Sequence, residues 1–190
     1  TGVGSNSAIV TAGFDSGLSA DTEEWNGTNW TEVADNTYSY AQQQMVGTAN
    51  AGMSSGGFSN APYPPQTTTA EWNRTSWTAA AARSVAVNAH GGAGSQNAAL
   101  DFGGTVPGAT NSTCTEEYNG TSWATGVPLL IAANENAGSG TQTAAMSTST
   151  PTSPYNQTQE YNGLAWSQTA DLTAGIKERD GDGSQSSTIV

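Results

Sequence analysis

A short motif that occurs four times along the chain constrains the fold more than any other feature of the sequence. Each copy contains a Glu, an aromatic residue and an Asn, and ends in a Trp five residues after that aromatic. The copies of this aromatic motif occupy residues 23–30, 70–77, 116–123 and 159–166, and they contain all six Trp residues. A second motif, the glycine motif, alternates with the first and begins at Gly4, Gly47, Gly94, Gly140 and Gly183. The chain is therefore a repeat protein.

The spacing of the two motifs separates a framework segment from a variable connection. From the Glu of each aromatic motif to the next motif glycine there are 23 residues every time, whereas from the glycine to the following Glu there are 20, 24, 23 and 20. Length variation confined to one connection is expected of loops gathered on one face of a framework. We predict repeats at residues 4–46, 47–93, 94–139 and 140–182, with 183–190 beginning a fifth repeat or closing a ring.

Each repeat has the pattern of short strands. The Asn-Gly pair after an aromatic residue predicts a two-residue hairpin turn, in which Trp25 would oppose Thr28 and lie diagonally to Trp30. We predict one more strand after each hairpin, around residues 42–46, 84–88, 129–133 and 174–177, and another in each glycine motif. Four short antiparallel strands in a repeat of about 45 residues are typical of a blade of an all-β propeller.

The double glycines of the central repeats support a resemblance to a known family. Gly56-Gly57 and Gly103-Gly104, with an aromatic motif farther along, resemble the kelch repeat. The residue pattern of the two motifs is similar to that of kelch-like arrays in marine bacteriophage virion or tail-fibre proteins and in bacterial surface proteins. The first and fourth repeats lack the double glycine, and kelch propellers usually have more than four blades. The resemblance implies a kelch-like β-propeller with a recognition role, outside a cell or on a virion.

Charge and hydrophobicity exclude several classes of partner. The chain has 4 Lys and Arg against 16 Asp and Glu, which gives a net charge of −12. So few cations cannot support nucleic-acid binding by counterion release, and they cannot form a basic patch for anionic lipid. The longest apolar run, residues 127–133, is far shorter than the roughly 20 residues of a membrane helix. We therefore expect neither nucleic-acid binding nor membrane insertion.

Side chains suited to catalysis are scarce. His90 is the only His, so a two-histidine copper site of the galactose oxidase type cannot form, and a Ser-His-Asp triad would have to use His90. Asp180 and Asp182 could offer oxygens to Ca²⁺, but the remaining ligands of a calcium loop are missing, and we predict a turn there. For the Glu that recurs in each aromatic motif we predict a structural role rather than a cation site. We expect a protein that is not an enzyme and has neither cofactor nor metal.

The variable connections carry the candidate binding residues. Connections 54–68 and 147–158 each place a Tyr near prolines among Asn, Gln, Ser and Thr, and we expect connections 14–22 and 104–114 on the same face. Rigid aromatic rings with adaptable amide and hydroxyl groups are typical of recognition surfaces. The predicted ligand-binding residues are Tyr63, Asn60, Gln66, Asn111, Tyr155 and Asn156.

These observations lead to three hypotheses. The first is a non-catalytic recognition module that binds a cell-surface glycan or protein through the variable connections. The second is a structural subunit of an extracellular filament, surface layer or virion, which would contact other copies of itself or virion proteins. The third is a glycan hydrolase that uses two carboxylates. The fifth glycine motif is surplus in a closed four-bladed ring, so we expect a segment of a larger array or an assembled subunit.

Overall fold

The computed structural model describes residues 7–14, 16–148, 156–175 and 181–189, with the side chains of residues 182, 188 and 189 left aside. The described residues contain strands and turns without a helix, which confirms the all-β prediction. Sheet 1 consists of β1 (Ala8–Phe14), β2 (Leu18–Trp25) and β3 (Trp30–Glu32). Sheet 2 consists of β4 (Gln44–Thr48), β5 (Ala51–Ser55), β6 (Thr69–Trp72) and β7 (Trp77–Ala79).

Sheets 3 and 4 repeat the arrangement of sheet 2. Sheet 3 contains β8 (Gly91–Ser95), β9 (Ala98–Phe102), β12 (Thr115–Tyr118) and β13 (Trp123–Thr125). Between β9 and β12 the chain forms a separate two-stranded hairpin of β10 (Thr105–Val106) and β11 (Thr110–Asn111). Sheet 4 contains β14 (Ala137–Thr141), β15 (Ala144–Thr148), β16 (Thr158–Tyr161) and β17 (Trp166–Gln168). A last hairpin pairs β18 (Asp182–Ser184) with β19 (Ser187–Ile189). All pairings are antiparallel, and the first strands of sheets 2, 3 and 4 contact one another in sequence order.

The hairpin register predicted for the aromatic motif is wrong by two residues, since the partner of Trp25 is Trp30 and not Thr28. Trp25 lies directly opposite Trp30 rather than diagonal to it, with ring centroids 5.6 Å apart. The loop is longer than two residues because the Asn26 Oδ1 atom accepts hydrogen bonds from the backbone N–H groups of Thr28 (2.9 Å) and Asn29 (3.0 Å). This side-chain-to-backbone bonding replaces the two-residue turn and recurs in the other three copies.

The strands predicted at 84–88 and 129–133 are also wrong, because these segments link neighbouring sheets instead. Val87 forms only an isolated bridge, and its carbonyl accepts the N–H of Gly57 at 2.9 Å. A Cβ on Gly56 would lie 2.6 Å from the same carbonyl. Gly56 and Gly57 have φ values of +62° and +93°, so the double glycine is required both by conformation and by this close approach.

Glutamine side chains of the glycine motif join sheet 3, sheet 4 and the β18–β19 hairpin to the sheet before each of them. The Gln96 Nε2 atom donates to the carbonyls of Gly52 (3.0 Å) and Trp72 (2.8 Å) in sheet 2. Gln142 and Gln185 make the equivalent pairs of hydrogen bonds to sheets 3 and 4. Because one amide satisfies carbonyls on two strands, the register between successive sheets is fixed by a residue of the repeat itself.

The repeated Glu has the structural role that the sequence predicts. The Tyr118 hydroxyl donates to Glu71 at 2.7 Å, and the Tyr161 hydroxyl donates to Glu117 at 2.8 Å. Burial together with this hydrogen bond raises the pKa of Tyr161 to about 12. Each carboxylate is therefore held by the aromatic motif of the following sheet.

The hydrophobic core consists of three clusters, one between each pair of neighbouring sheets. The Trp that ends each aromatic motif packs towards the preceding sheet, so Trp77 and Trp166 are buried and Trp123 is partly buried. Trp30 is the exception, with 48% of its surface exposed, because no described sheet lies on that side of sheet 1. Within the described residues β19 pairs only with β18, and the sheets do not close into a ring.

Candidate binding face

The strand order brings the variable connections to one end of the sheets. Each variable connection leaves the second strand of a four-stranded sheet at the end where the first strand begins, since Ser55 pairs with Gln44 and Phe102 pairs with Gly91. The segments that precede β4 and β8 arrive at this same end. Two kinds of connection therefore meet there, and both contribute to one cavity.

The cavity has a volume of about 620 Å³ and is lined by three of the variable connections. Its aromatic rings are Phe14, Phe58 and Tyr63, and we call it the aromatic pocket. Its prolines are Pro62, Pro64, Pro65 and Pro107, and its amides and hydroxyl are those of Gln42, Asn88 and Thr105. Connections 14–22, 54–68 and 104–114 thus lie near one another, as the sequence predicts.

Tyr63 is exposed but held in place by its own loop. Its ring meets that of Phe58 edge to face, with centroids 5.5 Å apart, and 55% of the residue remains accessible. The Tyr63 N–H donates to the carbonyl of Asn60 at 3.2 Å. The Gln66 amide donates to the Pro64 carbonyl (2.7 Å) and to Ser59 Oγ (3.2 Å). Tyr63 can therefore contact a ligand without the loop first becoming ordered.

The other predicted binding residues divide into loop supports and positions away from the pocket. Asn60 and Gln66 stabilise the Tyr63 loop through the hydrogen bonds just described. Asn111 pairs with Thr105 in the β10–β11 hairpin and does not line the pocket. The Asn156 amide donates to the Leu172 carbonyl at 3.0 Å, which is a structural contact. Tyr155 lies outside the described residues.

An amide pair on the pocket wall is absent from the predicted residues. Asn88 Nδ2 donates to Gln42 Oε1 at 2.5 Å. Backbone hydrogen bonds fix both residues, because the Gln42 carbonyl accepts the N–H of Ala89 (3.1 Å) and Asn88 exchanges two bonds with Thr105 (3.1 and 2.8 Å). Both amides precede a first strand, in segments of constant length, so loop variability gave no signal for them.

A second cluster of polar groups lies inside the fold and is fully buried. Arg83 donates to Asp101 Oδ2 at 2.8 Å and to Glu116 Oε2 at 2.9 Å, and all three side chains have no exposed surface. Ser55 Oγ donates to the same Asp101 oxygen at 2.5 Å. The guanidinium also lies over the ring of Trp123, 5.2 Å from its centroid. We call these groups, with His90, the buried ionic cluster.

Ser55, His90 and Asp101 meet in this cluster, but they do not form a nucleophilic triad. The His90 Nε2 atom lies 3.2 Å from both Ser55 Oγ and Asp101 Oδ2, whereas a triad needs different ring nitrogens for the two partners. Nδ1 is buried and has no hydrogen-bond partner among the described residues. The arrangement suits packing between sheets 2 and 3 rather than attack on a substrate.

The environment of the buried ionic cluster lowers the pKa values of His90 and Asp101. Burial, and then the nearby Arg83, lower the pKa of His90, so the ring is neutral in the folded protein at pH 7. Burial alone would raise the pKa of Asp101, but the guanidinium of Arg83 and the hydrogen bonds from His90 and Ser55 outweigh it and lower that pKa.

Acidification should therefore destabilise the protein in two steps. Below the ordinary His pKa of 6.5 the unfolded chain binds a proton that folded His90 does not, so the free energy of unfolding falls by up to about 1.4 kcal/mol per pH unit. Asp101 adds a further loss below its ordinary value of 3.8. Urea denaturation between about pH 5 and 7 measures the first step. His90→Asn, the residue that the next repeat has at this position (Asn136), should flatten this part of the curve, and an unchanged slope would contradict the assignment to His90.

Neither a cluster of metal-ligating side chains nor a long apolar helix occurs in the described part of the chain. These residues contain no group of three His, Cys, Asp or Glu side chains placed to hold a metal ion. Asp180 and the side chain of Asp182, considered for calcium, lie outside that part. No helix long and apolar enough to cross a bilayer occurs in it either.

Comparison with known proteins gives a likeness of fold. No protein-family model matches the chain, and no curated protein is similar to it. Among solved structures, that of YjhT superimposes with a TM-score of 0.73 at 11% sequence identity, over 94% of this chain and 69% of YjhT. At this identity the match concerns the fold alone. The chain is thus an all-β protein of antiparallel sheets whose architecture is similar to that of YjhT.

Proposed function

We propose that the chain is all or part of a kelch-like β-propeller and serves as a non-catalytic recognition module. Four observations support the propeller arrangement. The first strands of sheets 2, 3 and 4 contact one another in sequence order. Gln96 connects sheet 3 to sheet 2, and Gln142 and Gln185 make the same connection in the repeats that follow. The double glycines occur where the kelch resemblance expects them, and the likeness to YjhT extends over most of the chain.

The observation that carries the recognition role is the aromatic pocket. Three connections that differ in length between repeats together form a concave, largely apolar site on a regular framework. A cavity of this size falls within the range of roughly 300–1,000 Å³ typical of ligand sites. The ring of Tyr63 is exposed and preorganised, a combination that favours binding at low entropic cost. The ligand we propose is a glycan or protein of a cell surface, met outside a cell or on a virion.

Replacement of Tyr63 by Ala should weaken ligand binding at least about tenfold, because an exposed, fixed aromatic ring is a typical binding hot spot. Stability should change by less than about 0.5 kcal/mol, since the side chain is largely accessible. Binding of wild type and variant to a glycan array and to intact cells measures the first effect, and thermal denaturation measures the second. Trp30→Ala is the matched control, because it removes an exposed ring at the other end of sheet 1. A variant of Tyr63 that binds like wild type would contradict the proposed site.

The structural-subunit hypothesis has one observation in its favour. Trp30 is exposed on the side of sheet 1 that corresponds to a packed interface in the later sheets. Another copy of the chain could cover it. Regular self-assembly of the pure protein that Trp30→Ser abolishes would favour this function over recognition.

A further inference from the structure

We propose that the aromatic pocket selects an uncharged sugar, and that Gln42 and Asn88 bind two neighbouring hydroxyl groups of it. The inference rests on the proposed recognition role and names the class of ligand. It derives from the charge of the pocket, from the hydrogen-bonding capacity of its amide pair and from the arrangement of its aromatic rings.

Charge argues against acidic ligands. The lining residues that belong to the described part of the chain include no Asp, Glu, Lys or Arg, and the chain as a whole carries a net charge of −12. A carboxylated or sulfated sugar would enter such a site without a counter-charge and against the overall field of the protein. Among the described cations, Arg83 is enclosed in the buried ionic cluster and Arg74 lies in the hairpin turn at the opposite end of sheet 2.

The amide pair offers a matched donor and acceptor. The hydrogen bond from Asn88 Nδ2 to Gln42 Oε1 uses one donor and one acceptor. Gln42 Nε2 and Asn88 Oδ1 have no further hydrogen bond within the described part of the chain, which leaves one donor group beside one acceptor. Neighbouring sugar hydroxyls can satisfy both, since each hydroxyl donates one hydrogen bond and accepts others. An apolar ligand would leave both amide groups desolvated and unpaired, at a cost in affinity.

The aromatic rings complete the match. The edge-to-face contact of Phe58 with Tyr63 leaves Tyr63 more than half exposed, and Phe14 is 64% exposed at the same pocket. The C–H groups of a pyranose ring form an apolar surface that packs on such rings, while its hydroxyls reach the amides. Flat apolar contacts combined with a few placed polar groups are the usual composition of a small-ligand site.

The test is a titration of the whole chain with six monosaccharides, in which changes of the backbone NMR shifts report binding. Methyl glycosides of glucose, galactose, mannose and N-acetylglucosamine are the uncharged probes, and glucuronic acid and N-acetylneuraminic acid are the acidic ones. We expect at least one uncharged probe to shift the amide signals of residues around Tyr63 and Thr105, with an affinity that does not depend on salt. Gln42→Ala and Asn88→Ala should each weaken it about three- to tenfold. Asn111→Ala, a neighbouring amide outside the lining, should leave it unchanged.

Three results would overturn the inference: tighter binding of an acidic probe, wild-type affinity in both amide variants, or no shift with any probe. The proposed recognition role fails separately, because it requires that Tyr63→Ala reduce binding on the array or on cells. Array binding that depends on Tyr63 but favours acidic glycans would keep the role and refute the uncharged ligand. Melting temperatures of the amide variants, expected to match wild type, show that an affinity loss is not unfolding.

Discussion

Replacement of Arg83 by Met should lower the free energy of unfolding by about 3–5 kcal/mol, because it leaves two buried carboxylates without their cation. Arg83 binds Asp101 and Glu116 at 2.8 and 2.9 Å, and water reaches none of the three side chains. Loss of one member of a buried ion pair leaves the charge of the other unpaired in the protein interior, which solvates it poorly. Urea denaturation at pH 7 measures the change.

Arg74→Met is the matched control for this prediction. Arg74 is 63% exposed and lies 3.8 Å from Glu24, so its removal should cost less than about 1 kcal/mol.

A triple variant tests whether the unpaired carboxylates cause the loss of stability. Arg83→Leu, Asp101→Ser and Glu116→Gln introduce the residues that the next repeat has at the same positions, namely Leu129, Ser147 and Gln159. The triple variant should be more stable than Arg83→Met alone, and equal effects of Arg74→Met and Arg83→Met would contradict the account.

Replacement of Trp166 by Ala should cost about 3–5 kcal/mol, because the ring fills the core between sheets 3 and 4. It is 4% exposed, and its centroid lies 5.0 Å from those of Phe102 and Tyr161. The chain offers its own control in Trp30, which has the same place in the first repeat but is 48% exposed. Trp30→Ala should cost about 1 kcal/mol or less.

The comparison of the two tryptophans separates packing from local hairpin propensity. Both residues end the same motif and face an aromatic partner across the same hairpin. If Trp30→Ala and Trp166→Ala destabilised the protein equally in urea, the stabilising contact would be the hairpin pair and not the packing between sheets.

Much of the framework could be predicted from the sequence, because the repeat displays it several times. The aromatic motif, the glycine motif and their constant spacing indicate the sheets and the end from which the variable connections leave. The hairpin register could not be predicted from the Asn-Gly pair, since the Asn26 side chain binds two backbone N–H groups and lengthens the loop. The segments predicted as strands instead form isolated bridges, because Val87 and Ala133 hydrogen-bond to the variable connection of their own repeat, a contact that local sequence does not display.

The buried ionic cluster was missed because its members come from distant positions in the chain. An alignment of the repeats, compared position by position, displays the signal of this cluster. Arg83 stands where the other repeats have Asn36, Leu129 and Leu172, and Asp101 stands where they have Thr11, Ser54 and Ser147. One neutral pair makes the same contact without charges, since the Asn36 amide donates to Ser54 at 3.0 Å. A charged residue at a position where the other repeats have neutral residues is therefore the sequence signal of the cluster.

The candidate site was predictable only in part. Tyr63 stood out as an aromatic residue among prolines in a variable connection, and it does line the pocket. Phe14 lines the pocket from variable connection 14–22, whereas Gln42 and Asn88 come from segments of constant length that carry no sign of variability. Their proximity depends on how successive sheets pack, which no single repeat encodes.

The central claim is that the variable connections bind ligand at the aromatic pocket, and one measurement tests it most directly. The measurement is NMR mapping of the isotope-labelled protein during titration with the strongest binder found on the glycan array. The account predicts that the shifted amides cluster at Phe58, Tyr63 and residues 105–109, with the indole signals of Trp25 and Trp30 unmoved. Shifts centred on the exposed Trp30 and its partly buried partner Trp25, with the pocket residues unchanged, would contradict it.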